Sequence, residues 1–380
     1  MIYLVGAIFA IFFEFLLISK KDKCLCDKIL AFWMFLMALH LFTYYTLYKG
    51  ISMEYPILFA IGGPMPFVHG PTLFLYTRAV TGQMKRWKSF QFLHFLPIAL
   101  YFLLYHNFLF LPREGKLEFI RQLMDGKIPD YVRFIYPIMV AHAITYLTLT
   151  FILLRKHNDR LKESYSYSDH RIDLLWLRSL LIGLTIVWTI VITANATMSG
   201  FEADKAIYAT VVLFVFFIGF FGVRQGNIFS SPSPPTSTSP VAQEEVNVNE
   251  QKRYSRSGLK EDEASAISQQ LTRLMETEKL YLEERLTLPA VAERLDIHTN
   301  YLSQIINERF RKNFYDFINT YRVEEFKSHI SRGAHRKMTL FSLALECGFT
   351  SKGAFNSAFK KSTGQTPTEF IQSAKMNKQL

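Results

Sequence analysis

The chain has little cysteine, and that excludes a disulfide scaffold. Three cysteines occur in 380 residues, and three cannot all pair. Cys24 and Cys26 lie one residue apart, the wrong spacing for a zinc knuckle, and no second pair completes a ligand set. With Cys347 they read as reduced thiols in a cytoplasmic setting. Glycine is modest at 18 residues, which excludes collagen-like repeats. Charge is scarce, at 20% against 50% hydrophobic residues, and that excludes a disordered chain. The absences leave an aromatic-rich protein, with 35 Phe, 19 Tyr and a formal charge of +11. Its mean hydropathy of +0.12 is unremarkable, but an average hides two populations.

Nearly charge-free runs cover 2–19, 29–47, 56–77, 89–112, 134–154, 174–198 and 206–223. Each has at least 18 residues, and the charges inside them are Glu14 and Arg178. A hydrocarbon core of ~30 Å needs roughly 20 apolar residues of helix. A soluble helix carries a polar stripe at the 3.6-residue period, and these runs carry none. In lipid only a helix satisfies its own backbone without sheet closure. The runs predict seven transmembrane helices over residues 1–229. The first reads as a span and not as a cleaved signal peptide, because its positive residues follow it.

Lysine and arginine set the expected orientation. The loops after the first, third and fifth spans hold 13, against 7 in the loops on the other side. The richer side is expected to be cytoplasmic, with the N-terminus out and the C-terminus in. That places the protein in a cell (inner) membrane, in contact with the lipid bilayer.

The composition changes after Phe229. Ser230–Pro240 is Ser/Pro-rich, acidic polar sequence follows, and residues 230–260 read as a flexible tether. A coil of that length has a root-mean-square span of ~30 Å. Residues 261–380 read as helices throughout. Thr287 is a plausible N-cap with Pro289 in the first turn, and Leu288, Val291, Ala292 and Leu295 mark a short helix. A break at 296–299 precedes a second helix from about Asn300 to Phe310. Two short helices, a tight turn and a small residue at the crossing form a helix-turn-helix pattern. About 52 residues later the pattern recurs, with Leu340, Leu343, Ala344 and Cys347, then a turn at Gly348, then Phe355 and Phe359. A long helix from Phe314 to about Ile330 separates the repeats.

At these residues a resemblance becomes specific. Ala344, Gly348-Phe349, Ser351, Phe355, Phe359-Lys360, Gly364 and Thr366-Pro367 resemble the DNA-binding domain of AraC/XylS-type transcription regulators. So do Leu288, Ala292, Tyr301-Leu302-Ser303 and Tyr321-Arg322 in the first repeat. Ile371 departs from the pattern, where the family often has an Arg after an aromatic, and one phosphate contact is placed in doubt. The resemblance implies two recognition helices on a rigid connecting helix, entering successive major grooves of double-stranded DNA, and no catalytic activity. Fused to seven spans, the chain looks like a membrane-embedded AraC-type regulator of bacteria.

The reading face also follows from helix geometry. With Leu302, Ile305 and Ile306 facing inward, Thr299, Asn300, Ser303 and Gln304 face outward. In the second repeat Phe355 and Phe359 face inward, so Lys352, Gly353, Asn356 and Ser357 face outward. Asn and Gln pair bidentately with adenine, and Lys reaches guanine. Arg311, Lys312, Lys360 and Lys361 are candidates for phosphates. Residues 286–380 carry a net +6, in keeping with a polyanionic partner.

Within the spans, polar groups are candidates for ligand or signal sensing: Glu14, His40, His69 and His142. The histidines read either as packing residues or as a ligand or proton site. Gly63-Pro64 and Gly70-Pro71 read either as plain kinks or as breaks lining a cavity. The outer loop 114–125 has the spacing of an interfacial helix or lid. The sequence has no glycine-rich phosphate loop, no Gly-x-Ser-x-Gly and no His-Glu-x-x-His, so no enzymatic activity, cofactor or metal is expected. The expected function is an all-α, multi-pass sensor with a DNA-reading tail, responding to an unknown small-molecule or membrane signal and acting as a homodimer. A transporter with a regulatory tail and a passive DNA tether remain alternatives.

Overall fold

The computed structural model describes residues 1–21, 23–124, 133–167, 175–198, 201–229, 261–333 and 338–376. The expected tether at 230–260 lies outside them. The chain forms two compact units, residues 1–156 with 174–232 and residues 157–173 with 233–380. Both are all-α among the described residues. Extended pairing is limited there to an isolated bridge between Tyr165 and Thr287 within the second unit.

The first unit contains α1 (Ile2–Ile18), α2 (Leu25–Tyr48), α3 (Ile51–Glu54), α4 (Ile57–Gly62) and α5 (Pro66–Val80). A 3₁₀ segment (Ser89–Phe95), α6 (Leu96–Leu104), α7 (His106–Phe110) and α8 (Arg113–Met124) follow. Then come α9 (Ile135–Ser164), whose last turns belong to the second unit, α10 (Leu175–Thr197) and α11 (Phe201–Phe229). Five helical stretches are long and apolar enough to cross a membrane: Leu25–Tyr48, Ile57–Val80, Ile135–Ser164, Leu175–Thr197 and Ala203–Gly222. The other two expected spans are shorter. Helix α1 has 17 residues, or ~26 Å of rise. The run at 89–112 is divided into the 3₁₀ segment, α6 and α7. Pro97, in the first turn of α6, lacks the N–H that would join α6 to the preceding segment.

Helix α2 is the centre of this unit and packs against α1, α4, α5 and α11. Its Trp33, Met34, Met37 and Leu41 are buried. Small residues bring the helices close: a Cβ at Gly219 of α11 would run into the Phe13 ring of α1. Phe12, Phe15, Phe151 and Leu213 are exposed on the outside of this unit. The expected outer-loop helix is present as α8, which buries Ile120 beside Tyr101, Tyr105 and Phe108. The two Gly-Pro pairs behave differently. Pro64 and Pro66 remove two nearby N–H groups, and the helix breaks between α4 and α5. Pro71 removes one, and α5 runs through it.

One cysteine expectation is corrected. Cys24 and Cys26 are joined in a disulfide, because the turn into α2 brings their Cα atoms to 5.2 Å, within bonding range. Cys347 is free and buried.

The described part of the second unit contains α12 (Glu261–Thr277), α13 (Leu288–Arg294), α14 (Thr299–Phe310), α15 (Phe314–Ser331), α16 (Leu340–Glu346), α17 (Lys352–Thr363) and α18 (Pro367–Met376). Each start has a local cause. Thr287, Asn313, Thr339 and Ser351 accept hydrogen bonds from first-turn amides. His298 caps α14 through its ring nitrogen, one residue earlier than the sequence pattern suggests. Gly364 ends α17 in the left-handed conformation.

Helix α15 serves two cores. Its Phe314, Phe317 and Ile318 pack with Leu271, Leu288, Val291 and Leu302. Its Val323 and Phe326 pack with Leu343, Phe349, Phe355 and Phe359. Ile371, the departure from the family pattern, is buried in this second core.

The turn between α16 and α17 depends on Gly348. Its φ is +88°, and an added Cβ would lie 2.6 Å from the Tyr281 carbonyl oxygen and 2.9 Å from that of Leu282. Both are backbone atoms that cannot swing aside. Gly348→Ala is therefore expected to destabilise this unit by about 2–4 kcal/mol. Thermal unfolding of the full chain measures it; a melting temperature equal to that of the parent protein contradicts this account of the turn.

Candidate nucleic-acid interface

Helices α14 and α17 stand as the second members of two helix-turn-helix units. Ala292 and Ala344 are buried where α13 and α16 meet them, and a larger side chain at either crossing would push the helices apart. Leu302, Ile305 and Ile306 anchor α14, and Phe355 and Phe359 anchor α17. The opposite faces are left to solvent.

On α14, Asn300 and Gln304 are exposed, while Thr299 and Ser303 are half-buried. Gln304 Nε2 donates to Glu308 Oε1 at 2.9 Å, which holds the amide against the helix. On α17, Lys352, Gly353, Asn356 and Ser357 are all exposed. A groove of about 690 Å³ runs beside them, lined by Lys352, Asn356, Ser357 and Lys360 from α17 and by Thr366 before α18. Both faces thus carry polar side chains of the types able to pair with base edges.

The four phosphate candidates divide into two pairs. Arg311, the left-handed C-cap of α14, and Lys360 are exposed. Lys312 Nζ donates to Thr320 Oγ1 at 2.8 Å, and Lys361 Nζ pairs with Asp316 at 2.6 Å. These two also tie the ends of their helices to α15.

The deepest polar feature of the unit was only half visible in the sequence. Arg322 of α15 is 1% exposed. Its Nε donates to the Tyr281 carbonyl at 2.7 Å, and one terminal nitrogen donates to the Glu283 carbonyl at 2.7 Å and to Ser166 Oγ at 3.2 Å. The other donates to the Ser166 carbonyl at 2.9 Å and to Asn319 Oδ1 at 3.3 Å. All five N–H groups of the guanidinium have acceptors. Burial lowers its pKa to about 10, so it stays charged at neutral pH. Ser166 is fully buried, and its hydroxyl donates to the Leu286 carbonyl at 2.7 Å. Tyr321-Arg322 stood in the family pattern; nothing in the sequence pointed to Ser166.

A second cluster gives a pH dependence. Burial acts to raise the Glu325 pKa. Hydrogen bonds from Lys279 Nζ at 2.9 Å and Tyr281 at 2.9 Å, with His329 nearby, hold it below the usual value instead. A carboxylate whose folded pKa is lowered stabilises the fold above its unfolded pKa, and that stabilisation disappears as pH falls through the folded value. Glu325→Gln is expected to flatten the loss of stability below about pH 4, followed by thermal unfolding across the acid range. An unchanged acid limb removes Glu325 from the explanation.

The candidates in the first unit are partly assembled. His40 and His69 meet, with Nδ1 of His40 3.1 Å from Nε2 of His69. His142 lies apart, its ring against Phe67 and Tyr146. Pro64 lies in the α4–α5 break, Pro71 is buried within α5, and Glu14 is half-buried on α1. Among the described residues, Cys24, Cys26 and Asp27 are close enough together to share a metal ion, but the disulfide occupies both sulfurs.

Residues 291–373 match the family model of a helix-turn-helix domain. Two uncharacterized HTH-type transcriptional regulators of Staphylococcus aureus, from strains COL and MSSA476, are each 30% identical over 92 residues. Those residues are 24% of this chain and 12% of each relative, so the likeness covers a small part of both. No solved structure matches the chain. The C-terminal region is a helix-turn-helix domain, and such a domain supports a DNA-binding transcription regulator.

Proposed function

We propose that the chain is a one-component, membrane-embedded transcription regulator of the AraC/XylS type. Residues 1–229 are the seven-helix membrane domain, 230–260 the tether and 261–380 the DNA reader. The N-terminus lies outside and the reader in the cytoplasm. The observation that carries this reading is the pair of helix-turn-helix units sharing α15, in a chain with five helices able to cross a bilayer. One shared helix holds two recognition helices in fixed relation, so they enter successive major grooves about one helical turn apart. A signal acts by binding two states of the membrane domain with different affinity. Pairing of protomers then changes avidity for DNA.

Footprinting in cells tests the proposal together with a chimera in which an unrelated anchor replaces residues 1–229. The natural chain, recovered in the membrane fraction, is expected to protect two adjacent major-groove faces in a signal-dependent way. The chimera is expected to keep the footprint and lose the response. A natural chain in the soluble fraction, or a chimera that still responds, refutes the membrane-sensor part.

A further inference from the structure

The His40–His69 contact belongs to a longer chain of hydrogen bonds. Trp33 Nε1 donates to His69 Nδ1 at 3.1 Å, His69 Nε2 meets His40 Nδ1 at 3.1 Å, and His40 Nε2 meets the Tyr208 hydroxyl at 3.3 Å. An indole N–H only donates, and this fixes the direction of the chain when both rings are neutral. His69 Nδ1 accepts, so its proton is on Nε2 and goes to His40 Nδ1. His40 then carries its proton on Nε2 and donates to the Tyr208 oxygen. The Tyr208 hydrogen is left for an acceptor on its far side.

On that far side lie two adjoining cavities of about 200 and 390 Å³, which share lining residues. His40, Tyr136, Asp204 and Tyr208 line both. Asp204 sits one helical turn before Tyr208 on α11, and the Tyr44 hydroxyl bonds its carboxylate. Tyr44 and Tyr208 stack at 3.6 Å between ring centres. The remaining wall is mostly apolar, with Met139, Leu184 and Val191. No lysine or arginine is among the described residues lining either cavity. The α4–α5 break opens the larger cavity, at Gly62 and Gly63, where a Cβ on Gly63 would run into Tyr101.

We infer that this paired cavity binds a small organic cation, one ammonium group on an apolar body. Asp204 is its counter-charge, and the tyrosine rings add cation–π attraction in a poorly hydrated space. The apolar wall takes the body, and the histidine chain holds Tyr208 in place. The end of α2, the start of α4, the start of α9 and the end of α10 contribute Leu47, Leu58, Tyr136 and Asn195. All four ends lie on the side opposite the positive loops, so the ligand enters from outside. That direction rests on the membrane reading proposed above; the ligand class rests on the cavity alone.

The test uses the full chain in phosphatidylcholine nanodiscs, titrated with phenethylammonium, 2-phenylethanol or phenylacetate. Intrinsic fluorescence reports binding, since Trp33 belongs to the hydrogen-bond chain and Trp188 lines the cavity. Phenethylammonium is expected to give a saturable change, with at least tenfold weaker binding of the alcohol and the acid. Asp204→Asn is expected to weaken the ammonium at least tenfold; should that variant misfold, Tyr208→Phe provides the second reading, with a smaller loss. Equal or tighter binding of the alcohol or acid, undiminished ammonium binding by the variants, or no saturable change overturns the inference. DNA is absent from this assay, so its failure leaves the footprint test standing, and the reverse.

Discussion

Arg322→Met is expected to destabilise the second unit by about 3–5 kcal/mol, a large part of the roughly 5–15 kcal/mol that holds a typical domain folded. The guanidinium is buried and bonds the carbonyls of Tyr281, Glu283 and Ser166. Methionine fills similar space but donates nothing, and leaves buried acceptors without donors. Lysine keeps the charge and is not expected to rescue the fold, because a point charge cannot reach three divergent carbonyls. Ser166→Ala is the graded comparison. It removes one hydroxyl that donates to Leu286 and accepts from Arg322, while the Ser166 carbonyl remains, so about 1 kcal/mol is expected. Thermal unfolding and limited proteolysis of the full chain separate the variants. An Arg322→Met protein that melts within about 1 °C of the parent contradicts this account.

The same arginine shows where the sequence stops being informative. The helix-turn-helix units were legible because they are local. Thr287, Ala292 and Leu302 lie within one short stretch, and the apolar period alone decides which faces turn inward. Ser166 lies 156 positions from Arg322 and outside the C-terminal region, so no periodicity or motif joins them. His40 and His69, 29 positions apart on separate helices, were candidates singly; packing of α5 on α2 makes them a pair. Asp204, just before the last apolar run, and Tyr208, near its start, carried no signal that distinguished them from ordinary interfacial residues.

Composition was legible and length was not. The run at 89–112 carries no Asp, Glu, Lys or Arg, yet it is not one helix, and its interruption at Tyr105 has no Gly or Pro to mark it. Gly63-Pro64 and Gly70-Pro71 are alike as dipeptides, but only the first is followed two residues later by another proline, Pro66. Of the phosphate candidates, Arg311 and Lys360 are exposed. Lys361 pairs with Asp316, 45 positions away, and no local pattern in the sequence joins the two.

Joint replacement of Gln304 and Asn356 by alanine is expected to remove most sequence preference while leaving non-specific binding in place. Each amide offers a donor and an acceptor to an adenine edge, and loss of such a pair removes about 1–3 kcal/mol of discrimination at its position. The two residues lie on different helices, α14 and α17, in separate cores, so their losses should add, to ~2–6 kcal/mol. Gln304 is already held by Glu308 at 2.9 Å, and its carbonyl oxygen and second amide hydrogen are left for a base. That pre-positioning makes Glu308→Ala a milder variant of the same defect, with the amide present but less well placed. The cations are untouched in the double variant, so the dependence of binding on salt should keep its slope. Lys360→Ala should do the opposite, weakening all sequences alike and reducing the slope by about one. Competition footprinting of the operator against scrambled DNA at several salt concentrations separates these outcomes. An operator preference that survives in the double variant would move the base-reading role to other side chains on α14 and α17, with His298 and Tyr301, at the start of α14, the next to be replaced.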